Sequence, residues 1–162
     1  MVSDVDERLA PGTVGFMVWR LSMAWRVEVD RAVADLGLTH AKYALLASLY
    51  GLDRSGHQPT QKELADHTGL EPLYVSKLAR SLEAAGHVDR TPDPVDARAV
   101  RLHLTGDGRE VARRAVAIVA QLLDTLTAPL GGTGSKRTSA FVRDLGLLLD
   151  APRPSQTPGD QP

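Results

Sequence analysis

A chain of 162 residues is the size of one compact domain, or of a small subunit that lends part of its length to a dimer. Its 43% apolar content supplies a core, and 24% charged residues with a net charge of −1 exclude a disordered polyelectrolyte. With 19 Lys and Arg against 20 Asp and Glu there is no general attraction to phosphate, so any nucleic-acid binding must rest on locally concentrated positive charge. The absence of cysteine excludes disulfides and thiolate metal sites. No apolar run approaches the roughly 18 to 20 residues that span a bilayer, and the acidic start from Met1 to Glu7 lacks the positive region of a signal peptide, which makes the cytoplasm the expected address.

Residues 1–11 read as a flexible N-terminus. From Gly12 to Leu36 apolar residues recur every three or four positions, at Val14, Val18, Leu21, Trp25, Val29, Ala32 and Leu36, and predict a long first helix ended by Gly37. Thr39 caps a second helix with the apolar set Tyr43, Leu45, Leu46 and Leu49, running towards a loop from Gly51 to Pro59. Thr60-Gln61-Lys62-Glu63 has the form of a capping box and starts a short third helix, which Gly69 ends. Pro72 suits the first turn of a fourth helix over about Glu71 to Ala85, stopped by Gly86. Its inward stripe is Val75, Leu78, Ala79 and Leu82, leaving Leu73, Tyr74, Ser76, Lys77, Arg80 and Ser81 facing outward. Val88–Thr91 and Ala99–Leu104 alternate as short strands around the turn formers Pro92 to Ala97, which predicts a hairpin with a long tip. Thr105 opens a fifth helix with Val111, Ala115, Ile118, Leu122, Leu123 and Leu126 at helical spacing; Pro129 and the Gly131–Gly134 stretch break it. A sixth helix near Lys136 to Leu149 carries Phe141, Leu145, Leu148 and Leu149, and residues 151–162 read as a disordered tail.

The expected fold class is therefore mainly α with a small β-hairpin. A short helix, a tight turn, a helix with polar outward positions and then a hairpin form the order of a winged helix-turn-helix. The stretch from Thr60 to Thr105 carries the pattern further, with its Thr-Gln-x-Glu-Leu-Ala opening, Leu-Glu-x-x-Gly-x-Val stop, Asp-Pro-x-Asp-x-Arg wing and the Leu-Thr before the next helix. In these motifs the chain resembles the MarR (multiple-antibiotic-resistance regulator) family of winged helix-turn-helix transcription factors, in detail over roughly residues 36 to 127. The resemblance implies a homodimer, with 12–37 and 105–150 as a helical dimerisation region and 38–104 as the DNA-binding lobe. It implies a regulator, a ligand-responsive repressor, that binds a pseudo-palindromic double-stranded DNA operator. The fifth helix agrees, being too long and too apolar on one face for a small lobe to cover.

Ser76, Lys77 and Arg80 lie three and four apart on one outward face, suited to base edges and phosphates of a major groove. Leu73 and Tyr74 depart from the small polar residues common at these family positions, and either touch thymine methyls and sugar edges or pack against the lobe. In the wing, Asp96 can orient Arg98 towards a narrow minor groove, while Ala97 replaces an arginine frequent in the family. Arg90, at the base of the hairpin, either meets phosphate or pairs with Asp89 or Asp93.

Trp19, Met23 and Arg26 of the first helix, with Tyr43 of the second, are candidates to wall a pocket for an anionic aromatic effector, or else belong to the core. The five histidines all fall between positions 40 and 103, which raises a metal-responsive regulator of the same fold as the alternative. They are scattered over different predicted elements with no His-x-x-x-His pair, so no metal and no cofactor is expected. A small helical enzyme is the rival from another class. Gly131-Gly132-Thr133-Gly134 follows a helix rather than a strand and lacks the Lys-Ser/Thr of a phosphate loop, and no Gly-x-Ser-x-Gly or His-Glu-x-x-His motif occurs.

Overall fold

The computed structural model describes residues 12–152. The flexibility expected of residues 1–11, and all but the first two residues of the expected tail, lie outside the described residues. The chain divides into two compact units, the first ending at Leu122 and the second beginning at Leu123.

In the first unit, α1 runs over Val14–Val33 and tightens into a 3-10 turn at Ala34–Leu36. Gly37 follows at φ +69°, a left-handed conformation that glycine adopts without a Cβ penalty. Helix α2 spans His40–Arg54, and the Thr39 hydroxyl accepts the amide of Lys42. The loop expected from Gly51 is helical as far as Arg54. A glycine inside a helix costs only about 1 kcal/mol relative to alanine, and burial of Leu45, Leu46 and Leu49 against the lobe outweighs it. Helix α3 covers Gln61–Thr68, with both arms of its capping box formed: the Glu63 amide donates to Thr60 Oγ1 at 3.2 Å, and the Thr60 amide to Glu63 Oε2 at 2.7 Å.

Helix α4, Pro72–Ala84, buries the expected stripe Val75, Leu78, Ala79 and Leu82. Strands β1, Val88–Pro92, and β2, Val100–Leu104, pair antiparallel with Val88 opposite Leu104 and Arg90 opposite Leu102. The β2 edge is also tied to the entrance of α3. The Leu102 amide donates to the Pro59 carbonyl, and Arg101 bridges to Thr60.

Helix α5, Gly106–Leu126, begins where β2 ends. Thr105 makes that junction: its Oγ1 accepts the Gly108 amide at 2.9 Å and donates to the Gly86 carbonyl at 2.7 Å, while its amide donates to the His87 carbonyl. A Cβ on Gly108 would lie 1.8 Å from the His87 oxygen, so only glycine fits there. The α5 residues buried by the chain itself are Gly108, Ala112, Ala115 and Val119. The expected stripe is therefore rotated, as the close approach of Gly108 to the His87 carbonyl turns its own side of the helix inward. Of its members only Ala115 is buried, while Val111, Ile118 and Leu122 remain half-buried.

In the second unit Asp124 Oδ1 accepts both the amide and the hydroxyl of Thr133, which hold its carboxyl below the usual range. The connection continues through a 3-10 turn at Ala128–Leu130, and the Ser135 hydroxyl caps α6, Lys136–Asp150, by accepting the Thr138 amide. Phe141 and Leu145 are half-buried, whereas Val142, Leu147, Leu148 and Leu149 are exposed.

Gly108→Ala should lower the unfolding free energy by about 1–3 kcal/mol, the usual cost of overpacking, measured by urea denaturation at matched protomer concentration. An unchanged midpoint would mean that the helix start yields freely. The capping box adds an acid-sensitive contribution. The amide and hydroxyl of Thr60 hold the Glu63 carboxyl below its usual range, with smaller help from His57 and Arg101. A depressed native pKa stabilises the fold above the unfolded value of about 4.3 and is lost as pH falls through the native one. The stability difference between the protein and Glu63→Gln should accordingly close as pH drops below about 4, and a pH-independent difference would contradict this.

Candidate nucleic-acid interface

Burial of one face of α4 dictates what the other can offer. Leu73 is 86% exposed at the start of the helix, Tyr74, Lys77 and Arg80 are exposed, and Ser76 is half-buried. Arg80 Nη2 donates to Ser76 Oγ at 3.1 Å, which draws the two side chains into one polar ridge. Of the two sequence readings for Leu73, packing against the lobe does not occur in the chain. Pro72 at the first position and a Glu71 that makes no side-chain cap leave this end of the helix without a covering side chain.

The wing tip projects Arg98, whose side chain is 94% exposed. Asp96 Oδ1 accepts the Arg98 amide at 3.0 Å and lies 3.5 Å from its Nε, so the carboxylate sits beside the guanidinium stem. Inside the tip, Asp93 is nearly buried and accepts the amides of Val95 and Asp96, each at 2.8 Å. Those amides, and then Arg101, hold its carboxyl below the usual range. Across the strands Thr91 Oγ1 and His103 Nε2 are 2.8 Å apart.

Arg90 pairs with neither Asp89 nor Asp93. Its Nη1 lies 3.2 Å from Glu83 of α4, which ties the base of the wing to the preceding helix. Strand alternation turns Asp89 to the opposite face, and Asp93 is occupied by Arg101. Sequence reasoning missed Asp93 and Arg101 as a pair. It also missed Arg109, which donates through Nε and Nη2 to Asp53 of α2, at 3.0 and 2.9 Å. Partners 56 residues apart leave no local signal.

A cavity of about 380 Å³ opens beside the start of α4, lined by Arg26, Asp30, Thr39, His40, Ala41, Leu70 and Tyr74. Of the expected pocket wall only Arg26 lines it. Trp19 and Met23 are exposed on α1, and Tyr43 is half-buried, which pushes its hydroxyl pKa up. The cavity lining takes a carbocyclic ring from Tyr74 and an imidazole from His40. Asp30 Oδ1 accepts the His40 amide at 2.6 Å and so fixes the start of α2 against α1. Among the described residues no cluster of three or more His, Asp or Glu could hold a metal ion, and no helix is long and apolar enough to cross a membrane.

Comparison with known proteins agrees with this architecture. A sequence profile of the MarR family matches residues 36–99. The HTH-type transcriptional regulator YdcH of Bacillus subtilis is 35% identical over 108 residues, covering 67% of this chain and 74% of YdcH. The HTH-type transcriptional repressor Rv2887 of Mycobacterium tuberculosis is 34% identical over 122 residues, covering 72% of this chain and 84% of the repressor. Among solved structures, a variant of Escherichia coli MarR complexed with operator DNA shares the fold with a TM-score of 0.74 at 22% identity, over 92% of this chain and all of that one. By sequence, helix order and wing, the chain belongs to the MarR family of winged helix-turn-helix transcriptional regulators.

Proposed function

We propose that the chain is a homodimeric, ligand-responsive repressor, acting in the cytoplasm, which places α4 in the major groove and the wing in the adjoining minor groove of a pseudo-palindromic operator. The observation that carries this reading is the division of α4. Its stripe of Val75, Leu78, Ala79 and Leu82 is buried, while Leu73, Tyr74, Ser76, Lys77 and Arg80 line the outward side of a helix whose wing extends Arg98. Arg80 and Lys77 supply donors to guanine edges or phosphates, Ser76 positions Arg80, and Leu73 offers an apolar contact to thymine methyls. Asp96 orients Arg98, and Arg90 contributes as a brace through Glu83 with its charge near the backbone. The arrangement serves binding, with no reaction chemistry assigned to it.

Dimerisation through residues 12–37 and 105–150, leaving 38–104 as the DNA-binding lobe, is supported by exposed apolar side chains within each unit. On α1 these are Val14, Met17, Val18, Trp19, Leu21, Met23 and Val27; on α6 they are Val142, Leu147, Leu148 and Leu149. An effector is accommodated by the cavity that Arg26 and Tyr74 share. Arg26 offers a guanidinium to an anionic group and Tyr74 a ring to an aromatic one, and Tyr74 also belongs to the DNA-facing helix. Occupancy there acts directly on the recognition surface.

Lys77→Ala and Arg80→Ala should each weaken operator binding by about 1–3 kcal/mol where a base contact is lost, with the fold unchanged. Arg98→Ala should weaken it most on operators with A·T-rich flanks. Fluorescence anisotropy on operator fragments selected from the source genome reads both effects, and sedimentation at micromolar concentration reads the dimer. Unchanged affinity in all three variants would move recognition elsewhere, and a monomer that bound operator normally would defeat the architecture.

A further inference from the structure

A solvated hairpin tip has no need of a shielded charge pair, yet this one sets the buried Asp93 carboxylate against the half-buried guanidinium of Arg101. The turn between β1 and β2 is closed by the Asp93 amide on the Ala99 carbonyl at 3.0 Å, and by the Ala99 amide on the Asp96 carbonyl at 2.8 Å. The Asp93 side chain, 5% exposed, spends Oδ1 on the amides of Val95 and Asp96 and turns Oδ2 to Arg101 Nε. From the same guanidinium, Nη1 donates to the Gln58 carbonyl in the segment that enters α3. The Arg101 backbone bridges to Thr60, the capping residue of that helix.

Turn formation alone does not account for this arrangement. An asparagine oxygen accepts the same two amides in an Asx-type turn. A buried ion pair is weak evidence for stability, because desolvation offsets its attraction. What the charge adds is a connection. Gln58 and Thr60 belong to the segment that seats α3, Arg101 reaches from there to Asp93, Asp93 fixes the amide of Asp96, and Asp96 accepts the amide of Arg98. Each step in that sequence is a direct contact.

We propose that Asp93 and Arg101 form a clasp that sets the direction of the wing relative to the helix-turn-helix, making both of them positioning residues for Arg98. The proposal rests on the reading of Arg98 as a minor-groove contact. It differs from a purely electrostatic effect in sign, since removing the Asp93 charge brings the protein closer to a cation and by itself favours DNA.

The test is a double-mutant cycle on the full-length protein, with operator affinity measured by anisotropy on A·T-flanked fragments. Asp93→Asn keeps an oxygen for the two amides and loses the charge that meets Arg101. It should weaken binding by roughly three- to tenfold, about the size of one lost oriented contact. In the Arg98→Ala background the same change should have less than about a twofold effect, because the residue it positions is gone. Arg101→Gln, which keeps a donor for the Gln58 carbonyl, should repeat the pattern and stands in if Asp93→Asn fails to fold. Tighter or unchanged binding in these variants overturns the clasp, as does a loss that adds in full to that of Arg98→Ala. Should Arg98→Ala alone leave binding unchanged, the minor-groove reading falls first and takes the clasp with it, so the two failures are told apart.

Discussion

The peptide between Gly86 and Val88 is the point on which the DNA-binding lobe turns. Gly86, at φ +76°, ends the descent of α4, and the His87 amide donates back to the Leu82 carbonyl. One residue's carbonyl then receives the Thr105 amide, and its neighbour's receives the Thr105 hydroxyl. The start of α5 presses so closely on this peptide that position 108 has no room for a side chain. The stop of α4, the first residue of the wing and the first turn of α5 are thus held through one short stretch of backbone. Each of these contacts satisfies a backbone group left over at the end of a helix or strand.

What could be read without coordinates follows from how local each cause is. The Thr60–Glu63 box, Gly69, Pro72 and Gly86 act through their own neighbours, and they delimit α3 and α4 to within a residue or so. The inward stripe of α4 is periodic and apolar, and its four residues are buried as expected. Two kinds of cause escaped. Gly51 is a breaker by propensity, but α2 passes through it because tertiary burial outweighs a cost of about 1 kcal/mol. On α5 the inward face is built of Gly108, Ala112, Ala115 and Val119, three of them too small to register strongly on a scale of apolar content. Of the cavity beside α4, only Arg26 was legible in the sequence, since the ring of Tyr74 lies 48 residues further along the chain.

The charges show the same limit from another side. Counting 19 cations against 20 anions excludes a basic coat but does not say which cations are spoken for. In the structure Arg90, Arg101 and Arg109 are matched to Glu83, Asp93 and Asp53, partners on other elements or across the hairpin, and they hold the lobe's parts to one another. Lys77 and Arg80 remain exposed on α4, and Arg98 stands out at the tip with Asp96 beside its stem. Net charge therefore says little about a surface on which some cations are held in ion pairs and others stand free to meet a polyanion.

The two-sidedness of α4 also bears on how such proteins diverge. Substitutions at Leu73, Lys77 or Arg80 meet solvent rather than core, and changes at exposed helix positions shift stability little. Those at Val75, Leu78 or Leu82 disturb a fully packed interior. The exposed face of α4 can therefore change in sequence at little cost to folding, while the buried face that supports it cannot.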